Sequence, residues 1–278
     1  MTRTHFQRSA LLLALIALPS LALGRQTKDF TRTVPLNSGG ELKLNSTKGT
    51  VKLTGWDRNE VEIVAHIVMT GRVDANYARR AVEAVRIEVS GDSRQLFIRP
   101  VYDDVPRDDS IFSRTIPDVN FEIQAPRKVS LQLDTDRGRL DVQGLEGSLN
   151  VKSDRGQVVA HDLTGELRLK MDRCPDSALS GLRGTLHVDM DRSELKVNAL
   201  QISGDSRLEV SRGEAELRLP RTQGLSVSAN VGRRADFDSD FAISTRKFGD
   251  RVEGDINGGG PKLLIHTDRG KVELKASN

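Results

Sequence analysis

The side chains with the most regular spacing and the clearest capacity for chemistry are paired aspartates and arginines. Four pairs occur in the middle of the chain: Asp136-Arg137, Asp154-Arg155, Asp172-Arg173 and Asp191-Arg192. Their aspartates are 18, 18 and 19 residues apart. Carboxylates can collect cations and guanidinium groups can bind anionic sugars, so one interpretation of the spacing is a ligand-facing stripe formed by these eight residues. The interpretation we favour is that each Asp begins a turn, each Arg offsets its charge, and both remain solvated.

Residues that serve catalysis or metal binding elsewhere lack the partners they need here. The tripeptide Gly-Asp-Ser occurs at 91–93 and 204–206, but no histidine has a local or periodic relation to either serine. A nucleophilic serine requires a positioned base and an oxyanion hole. His66, His161, His187 and His266 are scattered and lack metal-ligand spacing. We therefore predict no catalytic residue, no cofactor and no metal site.

The charged pairs belong to a longer repeat. Leu149 and Val151 precede Asp154, Arg155 and Gly156, and the same template fits seven places between Leu42 and Gly270. One copy is shortened, with Leu208 and Val210 before Arg212 and Gly213. A second alternating apolar pair follows each copy. Alternation with period two is typical of a strand with one buried face, so each unit is predicted to be strand, turn, strand, turn.

Glycines are predicted to close the turns of this unit, because glycine adopts positive φ without strain. Those assigned to the first turn are Gly138, Gly156, Gly213 and Gly270, and those assigned to the second are Gly144, Gly165 and Gly181. Cys174 takes the glycine position in its copy, and Pro175 interrupts the strand that should follow. Because Cys174 is the only cysteine, disulfides within the chain cannot hold the fold. We predict a buried or inert thiol, with an intermolecular disulfide as the alternative.

A unit of 18 to 20 residues cannot bury its apolar face alone, whereas identical units placed about 4.8 Å apart share one core. The repeat therefore predicts an all-β fold, a β-solenoid. An antiparallel sandwich of hairpins is the alternative that the same alternation allows.

The N-terminal third departs from the repeat. Asp74 to Val85 is rich in helix formers, with Asp74 as the N-cap, and predicts one short amphipathic helix. Arg94 to Val101 predicts a strand, and Asp103 to Thr115 an exposed polar loop. With a boundary near Asp118, the sequence divides into 25–117, an N-terminal β region with one helix, and 118–278, the regular coils. A single continuous domain over 25–278 is the alternative.

Residues 1–24 are expected to be a secretory signal peptide. Arg3 and Arg8 precede an apolar run from Ala10 to Leu18, and small residues before Arg25 indicate cleavage there. No later segment is expected to cross a bilayer. The formal charge of +3 falls to about +1 without Arg3 and Arg8, and aromatic residues are 4% of the chain. Both features argue against nucleic-acid binding.

The segments Phe121–Pro126 (Phe-Glu-Ile-Gln-Ala-Pro) and 256–261 (Ile-Asn-Gly-Gly-Gly-Pro) flank the coils in a recognisable order. From roughly Leu36 to Leu274 the sequence resembles the bacterial putative-adhesin domain of unknown function. The resemblance implies a right-handed single-stranded β-helix and a surface role. The Asp-Arg pair before the glycine departs from the family, where Asn or a small polar residue is more typical. No catalytic residue is carried over.

The function expected from these features is that of a non-enzymatic, adhesin-like or structural binding module of the bacterial cell envelope. It would be exported to the periplasm or cell surface and bind a protein or polysaccharide there. The alternative is a β-helical carbohydrate-active enzyme, a lyase or hydrolase. Such enzymes need clustered carboxylates or a metal with a base, and they line their clefts with aromatics. Trp56, Tyr77 and Tyr102, the only Trp and Tyr residues, lie outside the regular coils.

Overall fold

The computed structural model describes residues 26–71, 73–106, 115–248 and 250–277. Over these residues the chain is all-β with one helix. The strands are β1 (Thr27–Pro35), β2 (Gly40–Lys48), β3 (Val51–Trp56), β4 (Glu60–Val68), β5 (Arg86–Gly91), β6 (Gln95–Val101), β7 (Asp118–Pro126), β8 (Val129–Gln143), β9 (Glu146–His161), β10 (Thr164–Asp172), β11 (Ser177–Ser180), β12 (Arg183–Asn198), β13 (Gln201–Ile202), β14 (Ser206–Pro220), β15 (Leu225–Val231), β16 (Asp236–Ser239), β17 (Ser244–Phe248), β18 (Arg251–Ile256) and β19 (Lys262–Ser277). The helix α1 spans Ala75–Ala84. The predicted signal, 1–24, lies outside the described residues, as does 107–114 of the predicted loop.

The six strands that carry most of the repeat, β8, β9, β10, β12, β14 and β19, pair side by side in parallel and are called here the central parallel strands. Leu131 pairs with Leu149, Leu149 with Leu167, and Leu167 with Leu186. Equivalent positions of successive repeats are therefore neighbours. The antiparallel hairpins of the alternative prediction do not occur among these strands.

The predicted first turn is confirmed only in part: Gly138 and Gly213 have positive φ, 135° and 114°, but the strands run through this position. β8 has 15 residues and β9 has 16, and each includes both apolar pairs of its repeat together with Asp, Arg and Gly. Gly156 lies outside the left-handed region and closes no turn. Its glycine is required by crowding instead: a Cβ there would lie 2.0 Å from the carbonyl oxygen of Gly138 on the neighbouring strand. Gly270 likewise lies outside the left-handed region.

The second turn is confirmed in part. Gly144 and Gly181 are left-handed, with φ of 68° and 66°, and each follows a strand. The equivalent positions of the next repeats hold Asp162 and Ala199, with φ of 53° and 52°. The assignment of Gly165 is wrong, because it lies inside β10, where a Cβ would approach the Gly147 carbonyl oxygen to 2.0 Å.

The predicted shortened repeat copy in β14 was placed two residues out of phase. Ser206, not Leu208, occupies the position of Leu186, and Leu208 pairs with Ile265 of β19. The Ser206 hydroxyl accepts a hydrogen bond from the Leu186 N–H at 3.1 Å. This position holds a buried serine where other copies have leucine. The apolar pattern therefore did not identify the first residue of this copy.

One hydrophobic core runs through all the described repeats. It extends from Leu36 to Leu274 and holds the alternating inward residues of the central parallel strands. Each fully buried leucine contributes about 2 kcal/mol relative to an exposed one. Each strand contributes only one row of inward side chains. Burial of that row therefore depends on the neighbouring strands on either side.

The first turn of α1 confirms the predicted cap. The Asp74 Oδ1 accepts hydrogen bonds from the N–H groups of Asn76 at 3.0 Å and Tyr77 at 2.9 Å. Tyr77, Ala81 and Val82 bury the inner side of the helix against the core. Over the part of the chain described, no helix is long and apolar enough to span a bilayer.

Antiparallel strands lie at both ends of the parallel array. At the N-terminal end, β2 and β3 pair with β8, while β6 and β7 pair on their outer sides. Three antiparallel pairs follow: β5 with β6, β4 with β7 and β1 with β4. At the other end, β19 lies between β14 and the pair β15 and β16, and β18 is antiparallel to β15. The last strand of the chain is thus an inner strand.

Candidate binding surface

Strand register brings the Asp-Arg pairs together in a row that crosses the central parallel strands. Arg137 pairs with Arg155 between β8 and β9, and Asp172 pairs with Asp191 between β10 and β12. Arg173 and Arg192 are left-handed, with φ of 54° and 49°. The regular strand conformation is therefore interrupted at these two arginines.

Most of the pairs are joined into a zigzag of ion pairs. Arg173 Nη2 lies 2.8 Å from Asp154 Oδ1 on the preceding strand and 2.8 Å from Asp172 Oδ2 beside it. Arg192 repeats the pattern, reaching Asp172 at 3.1 Å and Asp191 at 3.2 Å. Each of these arginines thus links its own strand to the preceding one.

The two ends of the ion-pair network make different contacts. Arg212, which belongs to no predicted pair, extends it by contacting Asp191. At the other end, Arg155 contacts Asp154 at 3.1 Å and does not reach the preceding strand. Asp136 and Arg137 are exposed and form no ion pair within the described residues. The structure therefore joins six of the eight predicted stripe residues through ion pairs and leaves the first pair outside.

The arginines hold the network carboxylates in their charged form. The hydrogen bond from Arg173 lowers the pKa of Asp154, and the nearby charges of Arg173 and Arg155 act in the same direction. The hydrogen bond from Arg212 likewise lowers the pKa of Asp191. Both carboxyl groups are partly exposed, with 33% and 27% of their side-chain surface accessible to solvent.

A groove of about 420 Å³ runs beside the aspartates across four strands. Its opposite side is formed by a second set of charged residues: Asp134, Lys152, Lys170 and Asp189. Sequence reasoning missed this set. The available signal was that all four stand two residues before the Asp of their repeat, an outward position in a strand.

The Gly-Asp-Ser segments act in local structure. Asp92 Oδ1 accepts hydrogen bonds from the N–H groups of Arg94 at 2.7 Å and Gln95 at 3.1 Å, which fixes the turn before β6. These bonds lower the pKa of Asp92. Ser206 is buried and its hydroxyl donates to the carbonyl of Gly204 at 3.0 Å. The two segments therefore serve a turn and the start of a strand.

The histidines do not converge. His66 Nδ1 lies 2.8 Å from Asp29, and His187 Nε2 lies 3.6 Å from Glu166. His161 Nδ1 lies 2.6 Å from the Ser180 hydroxyl. Of these histidine contacts, this one comes nearest to a base paired with a nucleophile. No carboxylate contacts His161 within the described residues. Across those residues, no three His, Cys, Asp or Glu side chains are grouped to hold a metal ion.

Cys174 is fully buried, as predicted. Its N–H donates to the Ser193 hydroxyl at 3.0 Å, and its Sγ lies 3.4 Å from the carbonyl oxygen of Ser153. The strand is interrupted here, with β10 ending at Asp172 and β11 beginning at Ser177. The thiol therefore fills space between strands at the point where Pro175 breaks the repeat.

Comparison with known proteins gives matches at low identity and low TM-score. No family model matches the chain, and no curated protein matches it. Among solved structures, a putative cell adhesion protein from Clostridium sporogenes is 12% identical, with a TM-score of 0.36, over 90% of this chain and all of its own. A putative adhesin from Bacteroides fragilis is 13% identical, with a TM-score of 0.39, over 90% of this chain and 97% of its own. A putative lipid binding protein from Parabacteroides distasonis is 11% identical, with a TM-score of 0.32, over 88% of this chain and 96% of its own.

Proposed function

We propose that this chain is an exported, non-enzymatic binding module of the bacterial cell envelope, adhesin-like or structural, acting in the periplasm or at the cell surface. Its proposed architecture is a right-handed β-helix formed by residues 25–278 as one domain. The pairing of β2 and β3 with β8 supports one domain, because hydrogen bonds cross the boundary near Asp118.

The observation that carries the proposal is the parallel register of successive repeats. It places equivalent outward positions one strand spacing apart, about 4.8 Å, over several strands. An extended surface with repeated chemistry suits an extended partner, a protein or polysaccharide of the envelope, better than a small substrate.

We further propose that the Asp-Arg stripe faces a ligand through its carboxylates. Asp136, Asp154, Asp172 and Asp191 line the groove, whereas Arg173 and Arg192 form ion pairs with the last three of them. A charge-neutral double variant, Arg155→Gln with Arg173→Gln, tests this role. Unchanged affinity for every glycan and anion tested would remove the stripe from the binding surface.

The whole proposal is tested by expressing the full chain with an affinity tag, separating periplasm, membranes and medium, and recovering bound envelope material. We expect the chain outside the cytoplasm, together with a specific envelope component. A chain retained in the cytoplasm, or free of any envelope component, would contradict the proposal. Incubation with pectin, alginate and peptidoglycan tests the enzyme alternative. Turnover abolished by a single Asp substitution would establish that alternative.

A further inference from the structure

Two strands at the N-terminal end of the molecule each have an unpaired edge. Among the described strands, β1 pairs only with β4, and β5 pairs only with β6. β1 and β5 do not pair with each other, although a side chain of β1 reaches the backbone of β5. The space between these two edges is called here the end cleft.

The free edge of β5 presents backbone groups to the end cleft. Ile87 stands opposite Pro100 of β6, and proline has no N–H, so these two residues cannot exchange a pair of hydrogen bonds. In an antiparallel pair such residues alternate with hydrogen-bonded ones and point their N–H and C=O groups away from the partner strand. Ile87 and Val89 therefore point these groups into the end cleft.

Two side chains of β1 occupy this edge in place of a strand. Lys28 Nζ donates hydrogen bonds to the carbonyl oxygens of Glu83 at 2.8 Å and Val85 at 2.9 Å. Arg32 Nη1 donates to the carbonyl oxygen of Val89 at 3.3 Å. The carbonyl of Val89 is one that an added strand would use, so Arg32 and the strand would compete for it.

Both cations are bound to neutral carbonyl oxygens, and no described carboxylate forms an ion pair with either. Two ion pairs nearby are complete in themselves, Arg86 with Asp104 and Glu88 with Arg99. Apart from these pairs, β1, β5 and α1 carry four cations against two carboxylates: Lys28, Arg32, Arg79 and Arg80 against Asp29 and Glu83. The end cleft is therefore basic and favours an acidic partner.

An apolar side chain lies between the two cations. Phe30 is midway between Lys28 and Arg32, and residues two apart in a strand point to the same face. Phe30 is partly buried against the core, as are Ile87 and Val89 of β5. Residues four apart in a strand are about 13 Å from each other. Over that distance, the cleft offers a cation, an apolar surface and a second cation.

From these features we propose that the end cleft binds an extended segment of an acidic envelope protein, which adds as a strand to the free edge of β5. This inference rests on the proposed function and names the class of the partner. The segment carries two acidic side chains four residues apart, which pair with Lys28 and Arg32, and an apolar side chain midway, which packs on Phe30. Backbone N–H groups of the segment take the carbonyl oxygens that the two cations release.

Inward-pointing charges can also protect an open strand edge from pairing. Protection alone predicts that the end cleft accepts no strand of any charge. The proposed site differs, because it accepts an acidic strand and rejects a basic one.

The test measures binding of labelled peptides to the full exported chain by fluorescence polarisation. The probe is Ser-Thr-Glu-Thr-Val-Thr-Glu-Thr-Ser, and a comparison peptide has lysine in place of both glutamates. We expect the acidic peptide to bind about tenfold more tightly than the basic one, because two attractive contacts become repulsive. Added salt should reduce this preference.

Strand pairing is tested separately from charge. Two further acidic peptides keep every side chain but carry N-methyl groups on one or the other alternating set of amides. At least one of them should lose all binding, because the amides that face β5 can no longer donate hydrogen bonds.

Paired variants locate the site. Lys28→Glu with Arg32→Glu should reverse the preference, so that the basic peptide binds more tightly. Lys28→Gln with Arg32→Gln should abolish the preference. Lys52→Glu with Lys196→Glu is the control, because it makes the same change of net charge at exposed positions of β3 and β12, outside the end cleft. This control should keep the preference of the parent chain.

No binding of the acidic peptide, equal binding of acidic and basic peptides, or full binding of both N-methylated peptides would overturn the inference. If an envelope polysaccharide is recovered with the chain while no peptide binds, this inference fails and the proposed function stands. If the acidic peptide binds as expected but no envelope component is recovered, the end cleft is supported and the proposed function fails.

Discussion

Arg212 binds Asp191 of the neighbouring strand through two parallel hydrogen bonds, Nε to Oδ1 and Nη2 to Oδ2, both 2.7 Å long. The two residues stand in register between β12 and β14, at the irregular point where β14 has lost its own aspartate. The fork-shaped contact therefore closes the ion-pair network at the strand where the repeat is least regular.

Arg212→Lys should lower the melting temperature by a small but measurable amount. Lysine keeps the charge but cannot make two parallel hydrogen bonds to one carboxylate. Arg94→Lys is the matched control, because Arg94 is exposed and lies 3.7 Å from Asp92, too far for a hydrogen bond. Equal melting temperatures for the two variants, followed by circular dichroism, would show that the fork adds nothing.

The ion-pair network should also make stability depend on pH in a defined direction. The folded-state pKa values of Asp154 and Asp191 lie below their usual value, through hydrogen bonds from Arg173 and Arg212. Their stabilisation is complete above the unfolded pKa of about 3.9 and is lost as pH falls through the lower folded value. Asp191→Asn should thus lower the melting temperature at pH 7, with the difference from the parent shrinking in acid. A constant difference at all pH values would contradict this account.

Gly156→Ala should destabilise the fold by about 3 kcal/mol, because its methyl group would meet the Gly138 carbonyl oxygen on the adjacent strand. Gly39→Ala is the control: its φ of 83° is strained for alanine, but nothing lies within 4 Å of the new carbon. Urea unfolding measures both. If the control loses as much stability as Gly156→Ala, strand crowding is not what requires glycine.

Cys174 should be unreactive in the native protein. Its side chain is fully buried between Ser153 and Ser193. A chromogenic disulfide reagent should label the thiol in denaturant and leave the native chain unmodified over the same time. Rapid labelling without denaturant, or a dimer on non-reducing electrophoresis, would contradict the observed burial.

Several local features of this fold could be predicted from the sequence. Apolar alternation at Leu149 and Val151 identified strands, and the spacing of the aspartates correctly placed those copies in register. Asp74 identified the start of the helix. These features depend on residues close together in the chain, where the side-chain pattern follows directly from backbone period.

Choice of partner strand was not accessible in the same way. The sequence of β19 resembles any other copy of the repeat, yet the strand inserts between β14 and β15 instead of adding to an end. Strands with the same apolar pattern are interchangeable as neighbours until the whole chain is placed. Gly156 and Gly165 were misassigned for a related reason, because the carbonyl groups that crowd them belong to other strands.

The charged set Asp134, Lys152, Lys170 and Asp189 was missed because its members are unremarkable one by one. These residues stand side by side only when register aligns their strands. The Asp-Arg pairs drew attention through their identical letters, whereas a surface of varied residues leaves no such repetition to detect.

The antiparallel strands at the two ends give the molecule a fixed length. A parallel array alone would offer the same open edge after every repeat, and a second molecule could extend it indefinitely. Here β1 and β5 at one end, and β17 and β18 at the other, run in directions or over lengths that do not continue the series. Duplicating one 18-residue unit should therefore insert further parallel strands within the array and leave the antiparallel strands at both ends unchanged.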